Sequence, residues 1–194
     1  GHRNIATSGL FVLKSEEAGY PLFQGRLIIP YLVGHRPMYF IGRQTEFTPD
    51  KPWEAGKYKK LLTRSTQHPY VSQTVQNRYL FGTDSLRPGK DVILTEGVMD
   101  AIMAIQAGYS CISPATVRLS ARDGPLLLKE TKQSGQIYII NDNEENEAGR
   151  KGAEATARFL ESKGKHALLV ELPRKAAQDK IDLADFLREE GREG

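Results

Sequence analysis

Cysteine is almost missing from this sequence: Cys111 stands alone among 194 residues. That excludes an internal disulfide and any cysteine-rich zinc ribbon within the sequence, and a lone cysteine reads as a small buried hydrophobe. No apolar run reaches the roughly 18 residues that a membrane span needs, and the N-terminus lacks the basic-then-apolar layout of a signal peptide. A cytoplasmic setting without a membrane partner is therefore expected. Internal repeats and low-complexity segments are also missing. The chain opens Gly1-His2 without an initiating methionine, which suggests an excised piece of a larger protein.

What is present suits a globular protein. At 39% hydrophobic residues the chain can bury a real core, as one large domain or two small ones. Its net charge of +3 hides an asymmetry. Residues 1–95 carry 13 Lys and Arg against 7 Asp and Glu, a balance of +6, and residues 96–194 carry 14 against 17, a balance of −3. A basic surface beside an acidic pocket fits a protein that holds a polyphosphate backbone and places cations on it, although unrelated solvated faces give the same counts.

Along the first half, Leu27–Val33 and Met38–Gly42 flank a turn at Gly34–Pro37 and predict a β-hairpin, with Arg43 just beyond it. Thr45 to Lys60, with two prolines, Trp53 and the cluster Lys57-Tyr58-Lys59-Lys60, predicts a polar basic loop. Aromatics among these basic residues, such as Tyr39, Trp53 and Tyr58, read first as packing residues and second as surfaces on which bases stack.

Beyond Pro88-Gly89 strands and helices alternate. Strands are predicted at 92–95, 110–113, 136–141 and 167–172. Helices are predicted at 97–107, within 122–133, at 149–163 and at 183–190, with Gly108 and Gly164 at C-cap positions. This order predicts an α/β fold, a mostly parallel sheet covered by helices (residues 89–194), preceded by a smaller mixed α+β basic subdomain (residues 1–88).

Carboxylates gather where such a sheet binds ligands, beyond the C-terminal ends of its strands. Glu96 and Asp100 lie four apart across a strand-to-helix junction, Asp142 and Glu144 lie two apart after a strand, and Asp182 and Asp185 lie three apart at a helix start. Like charges about 4 Å apart repel by ~1 to 4 kcal/mol, so convergence of the six would be costly without cations. Hard oxygen donors with no neighbouring cysteine or histidine favour Mg²⁺ or Mn²⁺. The bland readings stand beside this one: Asp182 as a helix cap, and Glu144, Glu145 and Glu147 as a solvated charge run.

These motifs resemble the TOPRIM domain shared by topoisomerases, small nucleases and bacterial-type (DnaG-like) primases. Glu96-Gly97-Val98-Met99-Asp100-Ala101 looks like the primase form, Glu-Gly-x-x-Asp-(Ala/Val). The Asp142 region with Ala148-Gly149-Arg150-Lys151-Gly152-Ala153 is similar to the family's Asp-x-Asp and its following helix start. Upstream, Gly25-Arg26-Leu27-Ile28-Ile29-Pro30, Ile41-Gly42-Arg43, Lys57-Tyr58 and Leu80-Phe81-Gly82 look like landmarks of the basic primase subdomain.

The resemblance implies a TOPRIM-type fold and a DNA primase core, a nucleotidyltransferase making short RNA primers on single-stranded DNA from ribonucleoside triphosphates. A replicative helicase is an implied partner through parts beyond this sequence. Glu96 and Asp142 would be catalytic. Glu96, Asp100, Asp142, Glu144, Asp182 and Asp185 would hold divalent ions, and Arg26, Arg43, Lys57, Lys59, Lys60 and Arg78 would bind template or nucleotide phosphates. Three departures stand out. Glu144 occupies the place of the second aspartate, with Glu145 an alternative ligand, Gln76 replaces a usual lysine, and no zinc-binding module is expected within the sequence. The rival functions are a TOPRIM metal-dependent nuclease and a non-catalytic nucleic-acid-binding module.

Overall fold

The computed structural model describes residues 2–14, 19–114, 123–144, 148–174 and 179–190. Two compact units, Gly1–Asn77 and Arg78–Gly194, divide the chain.

The first unit begins with a short helix, α1 (His2–Thr7), and an antiparallel pair, β1 (Phe11–Leu13) and β2 (Gly19–Pro21). Its main sheet is the predicted hairpin, β3 (Arg26–Val33) and β4 (Arg36–Gln44), extended by a third strand, β5 (Tyr58–Lys60). Period-two alternation puts Ile29, Tyr31, Tyr39 and Ile41 on one buried face. There Tyr31 and Tyr39 meet edge to face, 5.9 Å apart, and the Tyr39 hydroxyl donates to the Leu61 carbonyl at 3.0 Å. Tyr39 is thus a core residue. Pro30 is tolerated because β3 is an edge strand, where a missing N–H leaves no ladder partner stranded. The sequence predicts only loop over Thr45–Lys60. The structure adds β5, because a three-residue strand rich in lysine carries too little hydrophobic pattern to be read before its pairing with β4 is seen.

The second unit is a parallel sheet in the order β10-β8-β6-β7, formed by Ala167–Leu169, Ile137–Ile140, Val92–Thr95 and Cys111–Ile112. Helices cover both faces. Val92, Leu94, Ile137 and Ile139 pack with Leu127 of α3 (Asp123–Glu130) and with Ala153, Ala157 and Leu160 of α4 (Ala148–Glu161). Ile93 and Ile140, on the opposite face, pack with Ala101 and Ala104 of α2 (Val98–Gln106) and Leu183 of α5 (Leu183–Glu190). This doubly covered arrangement explains why the strands read as continuous apolar runs. Residues 78–88, grouped by composition with the basic half, pack here: Leu80 lies in the core and Leu86 rests against it. Cys111 is fully buried, and burial pushes its thiol up to about 12, so it is the inert hydrophobe its isolation suggests.

One small element decides the site. Strands β9 (Asn143–Glu144) and β11 (Lys180–Ile181) form an antiparallel ribbon in which Ile181 faces Asn143. One step outward along this register, Asp182 comes beside Asp142.

Candidate metal centre

Three carboxylates meet at the C-terminal edge of the parallel sheet. Oxygens of Asp100, Asp142 and Asp182 all lie within 4.8 Å of one another. Each arrives by a different route. Asp100 sits in the first turn of α2, which starts directly after β6. Asp142 follows β8. Asp182 is held twice by α5, its side-chain Oδ1 accepting from the Asp185 N–H at 2.8 Å and its carbonyl accepting from the Phe186 N–H at 3.1 Å. Asp182 is therefore the helix cap that the bland reading foresaw, and a member of the cluster as well.

Asp100 is the buried member, 7% exposed. Its Oδ1 accepts the Ala184 N–H at 3.0 Å. Burial pushes the Asp100 carboxyl up to about 6; the Ala184 bond opposes this, and the neighbouring Asp182 and Asp142 charges reinforce it. On its other side Gly97 makes room, since a Cβ there would stand 2.4 Å from Asp100 Oδ2. Asp142 pairs with Lys180. Ionised, the three carboxylates and this ammonium leave a charge that a divalent cation balances. An all-oxygen donor set suits a hard cation such as Mg²⁺ or Mn²⁺. The residues present fit a divalent metal on both counts.

The other expected ligands are placed differently. Glu96 lies just past β6, half-buried, its carbonyl accepting from the Ser113 hydroxyl at 3.2 Å; it stands outside the three-carboxylate cluster. Asp185 turns to Arg188 at 2.9 Å. Glu144 is described in its backbone only, and Glu145 and Glu147 lie outside the described residues. Beside Asp142 opens a cavity of about 320 Å³, lined by apolar Ile139 and Ala153 and by the charged pairs Arg150 and Arg174, Glu154 and Glu171. Sequence reasoning missed Lys180 and this cavity, and had Gly97 only as a letter of the Glu-Gly-x-x-Asp motif, without its contact to Asp100. For Lys180 a signal existed: it stands two residues before Asp182.

Among the predicted phosphate-binding residues, Arg26 is corrected. Its guanidinium is buried, donating to Glu54 Oε2 at 3.1 Å, the Glu54 carbonyl at 2.6 Å, the Gly56 carbonyl at 2.9 Å and the Gly42 carbonyl at 3.4 Å. Lys59 completes this network by pairing with the same carboxylate. Burial alone would raise the Glu54 carboxyl, but the bonds from Lys59 and Arg26 outweigh it and hold it below the usual carboxylate range. Arg26 and Lys59 thus serve the fold. Lys57, Lys60 and Arg78 are exposed and Arg43 is half-buried, positions open to a phosphate backbone.

The Toprim domain family model matches residues 91–193, more than half of the chain. The chain belongs to the Toprim family. The Toprim unit and the sheet unit before it together share their fold with DNA primase cores. One similar structure is the Aquifex aeolicus primase, zinc-binding and RNA polymerase domains, at TM-score 0.73 and 23% identity over 96% of this chain and 42% of that one. A second is a DNA primase domain from Pseudomonas aeruginosa, at TM-score 0.69 and 20% identity over 97% and 55%. A third is a DnaG primase catalytic domain bound to single-stranded DNA, at TM-score 0.66 and 21% identity over 98% and 55%. The chain spans about half the length of these proteins or less. No curated protein sequence matches it. Among the described residues, no helix of the Toprim unit or its neighbour is long and apolar enough to cross a membrane.

Proposed function

We propose that this chain is the catalytic core of a DNA primase, which joins ribonucleoside triphosphates into short RNA primers on a single-stranded DNA template. The observation that carries the reading is the convergence of Asp100, Asp142 and Asp182 within 4.8 Å in a Toprim unit, preceded by a sheet unit that shares the primase-core fold. A nuclease of the same family would have no evident use for that preceding unit.

Asp100, Asp142 and Asp182 would hold the divalent cation, Mg²⁺ or Mn²⁺. Bound there, the cation would neutralise phosphate charge and polarise the phosphoryl group under attack. The protein's own groups do the rest. Ala184 and Gly97 fix the Asp100 carboxylate from two sides, and Lys180 steadies Asp142. The cavity beside Asp142 has the volume of a small-molecule site, and Arg150 and Arg174, which line it together with Glu154 and Glu171, would meet the triphosphate. The Glu96 carboxylate, one residue beyond β6, takes the proton from the 3′-hydroxyl as the hydroxyl oxygen bonds to the α-phosphorus and the α–β phosphoanhydride bond breaks, releasing pyrophosphate. Arg43, Lys57, Lys60 and Arg78 hold template phosphates. A replicative helicase would act through parts outside this sequence.

A template-directed synthesis assay tests the reading, with single-stranded DNA, labelled ribonucleotides and Mg²⁺ or Mn²⁺, comparing wild type with Glu96→Gln and Asp142→Asn. Metal-dependent oligoribonucleotides from wild type alone are expected. Degradation of the template instead would overturn the primase in favour of a nuclease.

A further inference from the structure

Two large aromatic side chains in the first unit point into solvent: Trp53 is 63% exposed and Phe47 is 77% exposed. Both stand on the segment between β4 and β5, and that segment is locked. At one end the Gly25 carbonyl accepts from the hydroxyls of Thr45 at 2.6 Å and Thr48 at 2.9 Å. The approach is so close that a Cβ at Gly25, whose φ is +58°, would lie 1.9 Å from the Phe47 carbonyl oxygen. At the other end Trp53 is the middle residue of the 3-10 turn Pro52–Glu54, and Glu54, only 2% exposed, is tied down by Arg26 and Lys59. Glu54 is thus anchored in the interior while the adjacent indole stands in solvent.

Exposed aromatics on a mobile loop need no explanation. On a clamped loop they are preorganised for contact, with their ordering cost already met by the fold. Their surroundings state what kind of contact. Lys51 Nζ lies 5.6 Å from the Trp53 ring centroid, and Lys57 Nζ lies 5.9 Å from that of Tyr58. Arg43 and Lys60 flank the same segment, and these four cations outnumber its two exposed acids, Glu46 and Asp50. Flat π-faces interleaved with cations match a chain of stacked bases joined by phosphates.

We infer that Trp53, assisted by Phe47, is a stacking platform for bases of single-stranded nucleic acid, with Lys51, Lys57 and Lys60 on the neighbouring phosphates. The inference rests on the nucleic-acid-binding reading above and adds its point of base contact.

Trp53 is the only tryptophan, so indole emission, excited at the red edge where tyrosine does not absorb, reports on this ring alone. The test titrates the chain with labelled oligothymidylate and with an abasic oligonucleotide of equal length, following indole emission and label anisotropy together. Oligothymidylate should quench Trp53 strongly, and the abasic strand, with the same phosphates, should bind roughly tenfold more weakly and quench little. Trp53→Ala, with its fold verified by circular dichroism, should lose roughly tenfold in affinity for oligothymidylate, and Trp53→Phe should keep most of it. Oligothymidylate binding with unchanged emission, or undiminished affinity in Trp53→Ala, overturns the stacking platform, leaves the primase reading standing and points to a protein partner for this patch. Failure of every oligonucleotide to bind overturns both.

Discussion

The carboxylate of Asp100 accepts a 3.0 Å hydrogen bond from the backbone N–H of Ala184, 84 residues further along the chain. This bond joins the start of α2 to the start of α5 and holds a carboxylate that burial would prefer neutral. Because its folded pKa, about 6, lies above the ordinary 3.8, Asp100 favours the folded state while it is protonated. Its contribution is intact below the ordinary value, falls away as pH rises through about 6 and is gone beyond, a change of about 3 kcal/mol. In EDTA, wild type should therefore lose stability relative to Asp100→Asn between pH 4 and pH 7, and the variant should be the more stable at neutral pH. Saturating Mg²⁺ should raise the wild-type melting temperature and leave that of Asp100→Asn nearly unchanged. Parallel pH profiles for the two proteins in urea denaturation would sink this account.

The parallel sheet and its helices were legible in the sequence because each strand is a short apolar run and each helix an amphipathic one, a local signal at every position. The two-residue strands β9 and β11 carry no such signal. They decide that Asp182 meets Asp142, which is why three acidic pairs were visible from spacing but the particular triad was not. Asp185, three residues after Asp182, looked equivalent until the cap geometry of α5 turned it towards Arg188. Arg26 was misread for a similar reason. Its partner Glu54 lies 28 residues away, and nothing beside Arg26 in the sequence shows that its charge is already matched.

Any side chain at Gly97 should push the Asp100 carboxylate out of place. The glycine's φ of −101° suits any residue, so the constraint is contact alone: a Cβ would press on Asp100 Oδ2. Gly97→Ala should displace that carboxylate from Asp142 and Asp182 and weaken divalent-ion binding roughly tenfold, in the range seen when groups that orient metal ligands are lost. Isothermal titration with Mn²⁺ measures this without reference to activity. Affinity equal to wild type would show that Asp100 has freedom the structure does not give it.

Removing the charge of Glu54 should be among the most damaging single changes in the first unit. Glu54→Gln leaves the guanidinium of Arg26, whose side chain is 1% exposed, buried without its counter-charge, a loss of about 3 to 5 kcal/mol. The midpoint of denaturant unfolding should fall accordingly. A change under about 1 kcal/mol, the scale of a surface pair, would mean that water reaches this network.

The corrected place of Arg26 also separates two kinds of basic residue. Each phosphate contact on a single strand contributes about −0.7 to the slope of log affinity against log salt concentration. Arg43→Ala, Lys57→Ala and Lys60→Ala should each flatten the slope for oligothymidylate by about that amount, with little change in melting temperature. Arg26→Lys should do the reverse. Lysine lacks the planar fork that serves Glu54 and the carbonyls of Gly42 and Gly56 at once, so the fold should weaken while the salt slope at temperatures well below melting stays that of wild type. A flattened slope in Arg26→Lys would return this arginine to the template, and unchanged slopes in all three alanine variants would remove Arg43, Lys57 and Lys60 from the path of the phosphates.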